Sequence, residues 1–129
     1  MSMERNIITM TDSGTVIIPK DISDVWMSEP ELVELFGTIA PMLRAAIRAV
    51  YKSGVLKDYE AQRYIRLENG YNADVYAFPM IVALAFRINN FGAEKVRNAI
   101  LERLYWRKEK TSIIFSLVAN GTKASKYQA

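Results

Sequence analysis

The sequence predicts an α+β domain on three observations. Two strand-like pairs fold back at glycine turns, two short amphipathic helices are broken by a single glycine, and an apolar helix precedes a longer amphipathic one. The chain has 129 residues, 50% of them hydrophobic and 24% charged, which suits one core-forming domain. A single domain is expected over residues 1–120, with a flexible polar tail over 121–129.

The elements follow in order. Asn6 to Met10 and Thr15 to Ile18 are β-branched runs around Thr11-Asp12-Ser13-Gly14, so they form an amino-terminal hairpin. Val25-Trp26-Met27 is one strand rung. Ser28-Glu29-Pro30-Glu31 is a capping box, with proline in the first helical turn, where its missing N–H costs nothing. That helix points Leu32, Leu35 and Phe36 inward and stops at Gly37. Thr38 caps a second helix, which carries Pro41 in its first turn and stops at Gly54. Its apolar residues Leu43, Ile47, Val50 and Tyr51 recur at spacings of three and four.

Arg63 to Leu67 and Tyr71 to Phe78 alternate around Glu68-Asn69-Gly70, a second hairpin with the strongest short turn signal. Pro79 opens an apolar helix running to Arg87 or Ile88, and Asn89-Asn90-Phe91-Gly92 breaks it. From Ala93 to about Lys110 runs the longer helix, with Val96, Ile100 and Leu104 inward. Thr111 to Val118 reads equally as strand or helix. Helix, glycine turn, helix and hairpin together make a winged helix-turn-helix-like domain, with the amino-terminal hairpin before it and helices after it.

Composition narrows the chemistry. The chain holds neither cysteine nor histidine, which removes disulfides, thiolate and imidazole metal sites, and the usual nucleophile and base pairs. Only carboxylate, lysine or tyrosine chemistry is left, and nothing converges on it. No enzyme activity, cofactor or metal is expected. Met1 to Met10 carries Glu4 and Arg5 and lacks the form of a secretory signal. The uncharged stretches Tyr76 to Phe86 and Thr111 to Ala119 fall short of the roughly 18 apolar residues of a membrane span. A cytoplasmic protein without a membrane contact is expected.

Seventeen basic and 14 acidic residues leave a net charge of only +3, but their distribution is uneven. Asp21, Asp24, Glu29, Glu31 and Glu34 make the first helix and its approach acidic. Glu29 and Glu31 have capping and dipole roles there, so a solvated acidic face is preferred to a metal site. Arg44, Arg48 and Lys52 fall at intervals of four along the second helix, opposite Leu43, Ile47 and Val50. No acid lies among them. Such a face suits a helix that docks on duplex DNA, although solvated surface residues are the simpler reading of an isolated triplet.

Arg63 and Arg66 on the second hairpin either reach DNA or pair across the strands with Asp74 or Glu68. A third basic region runs from Lys95 to Lys110, interrupted by Tyr105 and Trp106. Trp106 and Trp26 are taken as packing anchors.

The run Val25-Trp26-Met27-Ser28-Glu29-Pro30-Glu31-Leu32-Val33-Glu34-Leu35-Phe36-Gly37 resembles the amino-terminal part of the RhuM-like bacterial virulence-protein family. The likeness continues through Ile47, Lys52, Gly54 and Leu56, the Asn69-Gly70 hairpin, Val75-Tyr76, and the helix from Met80 to Asn89. It covers roughly Thr15 to Leu104. The resemblance implies a winged-helix, DNA-binding-like domain associated with mobile or pathogenicity elements and without established enzymatic activity. The chain stops where longer relatives continue, so no carboxy-terminal partner module is expected.

One departure bears on specificity. Where the family places serine, arginine, glutamine or asparagine at the start of the second helix, this chain has Thr38-Ile39-Ala40-Pro41-Met42, followed by Ala45 and Ala46. Base readout needs hydrogen-bonding side chains, and Arg44 alone is placed for it. The expected activity is therefore phosphate-led binding of double-stranded DNA by Arg44, Arg48, Lys52, Arg63 and Arg66, with weak specificity. The alternative is a protein-interaction or dimerisation module on the same fold. It would use the apolar helix start or Thr111 to Val118.

Overall fold

The amino-terminal hairpin forms, but it is shorter than the sequence pattern. Strand β1 (Thr9–Met10) pairs antiparallel with β2 (Val16–Ile17), and Gly14 adopts φ 91° in the turn between them. Residues 5–119 are described by this computed structural model, with side chains described through residue 105. They belong to two units, Met1–Ala99 and Ile100–Ala129. The expected tail over 121–129 lies outside the described residues.

Before β1, Asn6 makes a parallel bridge to Val25, its N–H donating to the Asp24 carbonyl at 3.0 Å. Strand β3 (Trp26–Ser28) then feeds directly into helix α1 (Glu29–Phe36). The change from strand to helix is set locally. Ser28 N–H donates to Glu31 Oε1 at 2.8 Å, satisfying the backbone at the helix start as the capping pattern requires. Gly37 ends α1 in the left-handed region at φ 64°, with open space where a side chain would stand. Gly37→Ala is therefore expected to cost about 1 kcal/mol from backbone strain alone, measured by urea unfolding; a loss well beyond that would mean a steric clash.

Helix α2 (Ala40–Ser53) begins one residue later than expected. Ile39, not Thr38, is the capping residue, and no side chain caps it. The Thr38 N–H instead turns back to the Val33 carbonyl at 3.2 Å, which commits Thr38 to the end of α1. A four-residue helix, α3 (Asp58–Ala61), lies between α2 and the second hairpin and was not anticipated. It is one turn long, too short for periodicity to register. Glu60 accepts the Lys57 N–H at 3.3 Å, and Ala61 is buried.

The second hairpin is β4 (Gln62–Arg66) and β5 (Asn72–Ala77). Strand β5 is central in a three-stranded antiparallel sheet of order β3-β5-β4, with Ser28 opposite Val75 and Arg63 opposite Val75 on its other edge. The core forms where α1, α2 and helix α4 (Phe78–Ala85) bury Phe36, Leu43, Ile47, Met80, Ile81 and Leu84. Each such side chain contributes about 1.5–3 kcal/mol by leaving water.

Helix α5 (Phe91–Ala119) absorbs two expectations. Thr111 to Val118 is helical. The break expected at Asn89 to Gly92 is present but covers residues 86–90, and α5 starts at Phe91 rather than Ala93, with Asn90 Oδ1 accepting the Ala93 N–H at 2.7 Å. Val96 and Ile100 are buried as expected, whereas Leu104, expected inward, is 58% exposed.

Candidate nucleic-acid interface

Arg44, Arg48 and Lys52 all lie on the exposed side of α2, away from buried Leu43, Ile47 and Val50. The 3.6-residue period places them there, and packing of the opposite stripe holds the helix in that rotation. Their electrostatic surroundings differ. Arg44 Nε donates to Glu29 Oε2 at 2.8 Å and Nη2 donates to Oε1 at 3.4 Å, so the first turn of α1 compensates the charge. An exposed pair of this kind adds about 1 kcal/mol or less to stability, but it leaves Arg44 occupied. Among the described residues, neither Arg48 nor Lys52 has an ionic partner.

The hairpin arginines are not a pair. Successive side chains alternate across a strand, so Arg63 and Arg66 project from opposite faces of β4. The Arg63 guanidinium stacks over the Trp26 ring, 4.5 Å from its centroid. Arg66 is exposed opposite Asn72, and Asp74 lies opposite Tyr64. Neither cross-strand ion pair weighed from the sequence is present: the register takes Asp74 away from both arginines, and Glu68 is engaged elsewhere.

The start of α2 is apolar and open, with Ile39 59% and Met42 60% exposed. At the other end of α2, the Tyr51 hydroxyl donates to Gln62 Oε1 at 2.8 Å and ties the helix to the base of the hairpin. Burial, with smaller repulsion from Tyr76, Asp58 and Asp74, pushes the Tyr51 hydroxyl up to about 12. Tyr76 is likewise raised by burial, then by Asp74 and Glu29. Negative charge therefore sits beside the junction of α2 and β4, a feature the basic stripe alone did not reveal.

Sequence reasoning also passed over Arg5. Its buried guanidinium donates through Nη1 to the Trp26 carbonyl at 2.6 Å and to Glu31 Oε1 at 2.8 Å. Through Nη2 it reaches Glu31 Oε2 at 3.1 Å and Glu68 Oε1 at 2.9 Å. Burial opposes ionisation of Glu31, but the Arg5 bond and the Ser28 N–H outweigh it and hold the carboxyl below its ordinary range. The same guanidinium lowers Glu68. No local signal marks Arg5, because its partners lie 21 to 63 residues away.

The later basic region serves structure where it is described: Arg97 Nη1 donates to the Ala85 and Ile88 carbonyls at 2.8 and 3.1 Å, closing the end of α4. The Trp106 side chain and the basic side chains after it lie outside the described residues. Among the described residues no three acidic side chains converge as metal ligands, and no helix is long and apolar enough to cross a membrane.

What fold and surface define is an α+β domain with a helix-borne cationic stripe. No protein-family model matches the chain, and neither a curated protein nor a solved structure does.

Proposed function

We propose that this chain is a DNA-binding protein of the winged helix-turn-helix type, holding duplex DNA through its phosphates with little sequence specificity. The order strand β3, helices α1 and α2, the one-turn α3 and then the hairpin, with the sheet order β3-β5-β4, supports α2 as the docking helix and the β4–β5 hairpin as the wing. One observation carries the reading: Arg48 and Lys52 stand one turn apart on the exposed face of α2 with their charges uncompensated among the described residues. Arg66 adds an exposed cation on the wing, while Arg44 and Arg63 join only by exchanging Glu29 or Trp26 for phosphate. Base readout is weak because Ile39, Pro41 and Met42 open the helix. In this reading the chain is a non-enzymatic, cytoplasmic bacterial protein of RhuM-like kinship.

A salt titration of duplex binding tests it. The log–log slope is expected near −0.9 per neutralised phosphate, and Arg48→Ala and Lys52→Ala should each flatten it by about one. Absence of binding at low salt, or binding indifferent to salt, would sink the proposal.

A second reading has its own observation. Exposed Ile39 and Met42 form an apolar edge suited to a protein contact or a homodimer, in which Glu29 keeps Arg44. Light scattering and amide shifts over residues 40–46 decide it: a monomer without partner-induced shifts excludes this use of the fold.

A further inference from the structure

We propose that Arg5 is the positioning residue of the wing, fixing the β4–β5 turn to the start of α1. Three observations carry this. The Arg5 side chain is only 4% exposed, so it is a built-in element of the domain rather than a loose surface arm. Its orientation is set from two sides, by the Trp26 carbonyl at the start of β3 and by both oxygens of Glu31. Only then does Nη2 reach Glu68 in the hairpin turn.

The turn itself is closed by local bonds. Leu67 N–H donates to the Tyr71 carbonyl at 2.7 Å, Gly70 N–H to the Leu67 carbonyl at 2.9 Å, and Tyr71 N–H to Asn69 Oδ1 at 2.9 Å. These shape the tip but do not say where it sits. A two-stranded tip projecting past its sheet swings unless a side chain holds it. Arg5 to Glu68 is that hold. Glu31 Oε1 serves both ends of the arrangement, because it also accepts the Ser28 N–H that starts α1. The cap of α1 and the tip of the wing are thus joined through Arg5, which bonds Glu31 at one and Glu68 at the other.

Charge gives the contact a second effect, which rests on the DNA-binding reading. Glu68 stands two residues from Arg66, and an uncompensated carboxylate there would repel phosphate. Arg5 cancels it while leaving Arg66 exposed.

The full-length Glu68→Ala variant separates these effects. Arg5 keeps Glu31 and the Trp26 carbonyl in this variant, so the fold is retained. Amide exchange at Leu67, Gly70 and Tyr71 is expected to accelerate about tenfold or more, as loss of a charge-assisted hydrogen bond implies, with α1 and α2 unchanged. Glu68→Gln, which keeps an acceptor for Nη2, should recover part of the protection. Wild-type exchange in Glu68→Ala overturns the assignment. Binding to a 20-base-pair duplex forms the second arm. Removing a negative charge should strengthen binding if electrostatics alone matter, whereas loss of wing position should weaken it about threefold or more. Tighter binding with a loosened turn overturns the positioning role in recognition. If the wild type binds no duplex, the proposed function falls, and the exchange arm still decides the role of Arg5.

Discussion

Gly92→Ala is expected to destabilise the protein by about 3 kcal/mol, near the upper end for an overpacked site. A Cβ at Gly92 would stand 2.2 Å from the Phe36 carbonyl oxygen and 2.6 Å from its carbon. Both obstacles are backbone. Phe36 is fully buried, and Asn90 Nδ2 donates to the same carbonyl at 2.9 Å, so moving either side disturbs the core and the start of α5 together. Helix propensity alone would favour alanine by about 1 kcal/mol, so the experiment has a sign to decide as well as a size. Urea unfolding monitored at the tryptophans would give it. A loss below 1 kcal/mol would mean that the close approach of α5 to the end of α1 is not fixed.

Arg5→Met is expected to cost about 2–4 kcal/mol, because it strands the half-buried carboxylate of Glu31. The pH dependence is the sharper readout. Glu31 and Glu68 both have folded-state pKa values held down, so their ionisation favours the folded protein. That contribution is complete above the unfolded value of about 4.3 and disappears as pH falls through the lower folded values. Glu68 lies in solvent, so Glu31 carries most of it. The wild type should therefore lose stability on acidification below about pH 4. In Arg5→Met the burial of Glu31 is no longer opposed by a cation, its pKa rises, and mild acid should relieve part of the defect. Parallel stability curves for the two proteins between pH 3 and 7 would refute the pairing.

What the sequence made legible divides by the range of the interaction. Ser28 with Glu31, the left-handed Gly37 and Gly54, and the Asn69-Gly70 turn are settled within a few residues, and their patterns led to the right elements. The one-turn α3 is too short to leave a period. Asn90 lies in the break between α4 and α5 and also begins α5: its Oδ1 makes a local cap, while the bond from its Nδ2 to the Phe36 carbonyl joins segments too far apart for a sequence pattern to register.

The candidate site divides in the same way. The stripe of Arg44, Arg48 and Lys52 follows from helical spacing, but its partial neutralisation depends on where α1 sets Glu29. The opposite aim of Arg63 and Arg66 follows from their odd separation once both are placed on one strand.

The central place of β5 also orders events during synthesis. β3 and β4 have no sheet partner except a strand that ends at Ala77, so both leave the ribosome before the segment they need. Among the described residues, the β1–β2 hairpin and the bridge from Asn6 to Val25 are the pairings within reach of the earliest chain. The helices α1 and α2 can form meanwhile, but their apolar stripes stay uncovered until residues 72–85 emerge and dock. A nascent chain halted before that point exposes Phe36, Leu43 and Ile47 together, which makes it a natural client for chaperones and an early target for proteolysis.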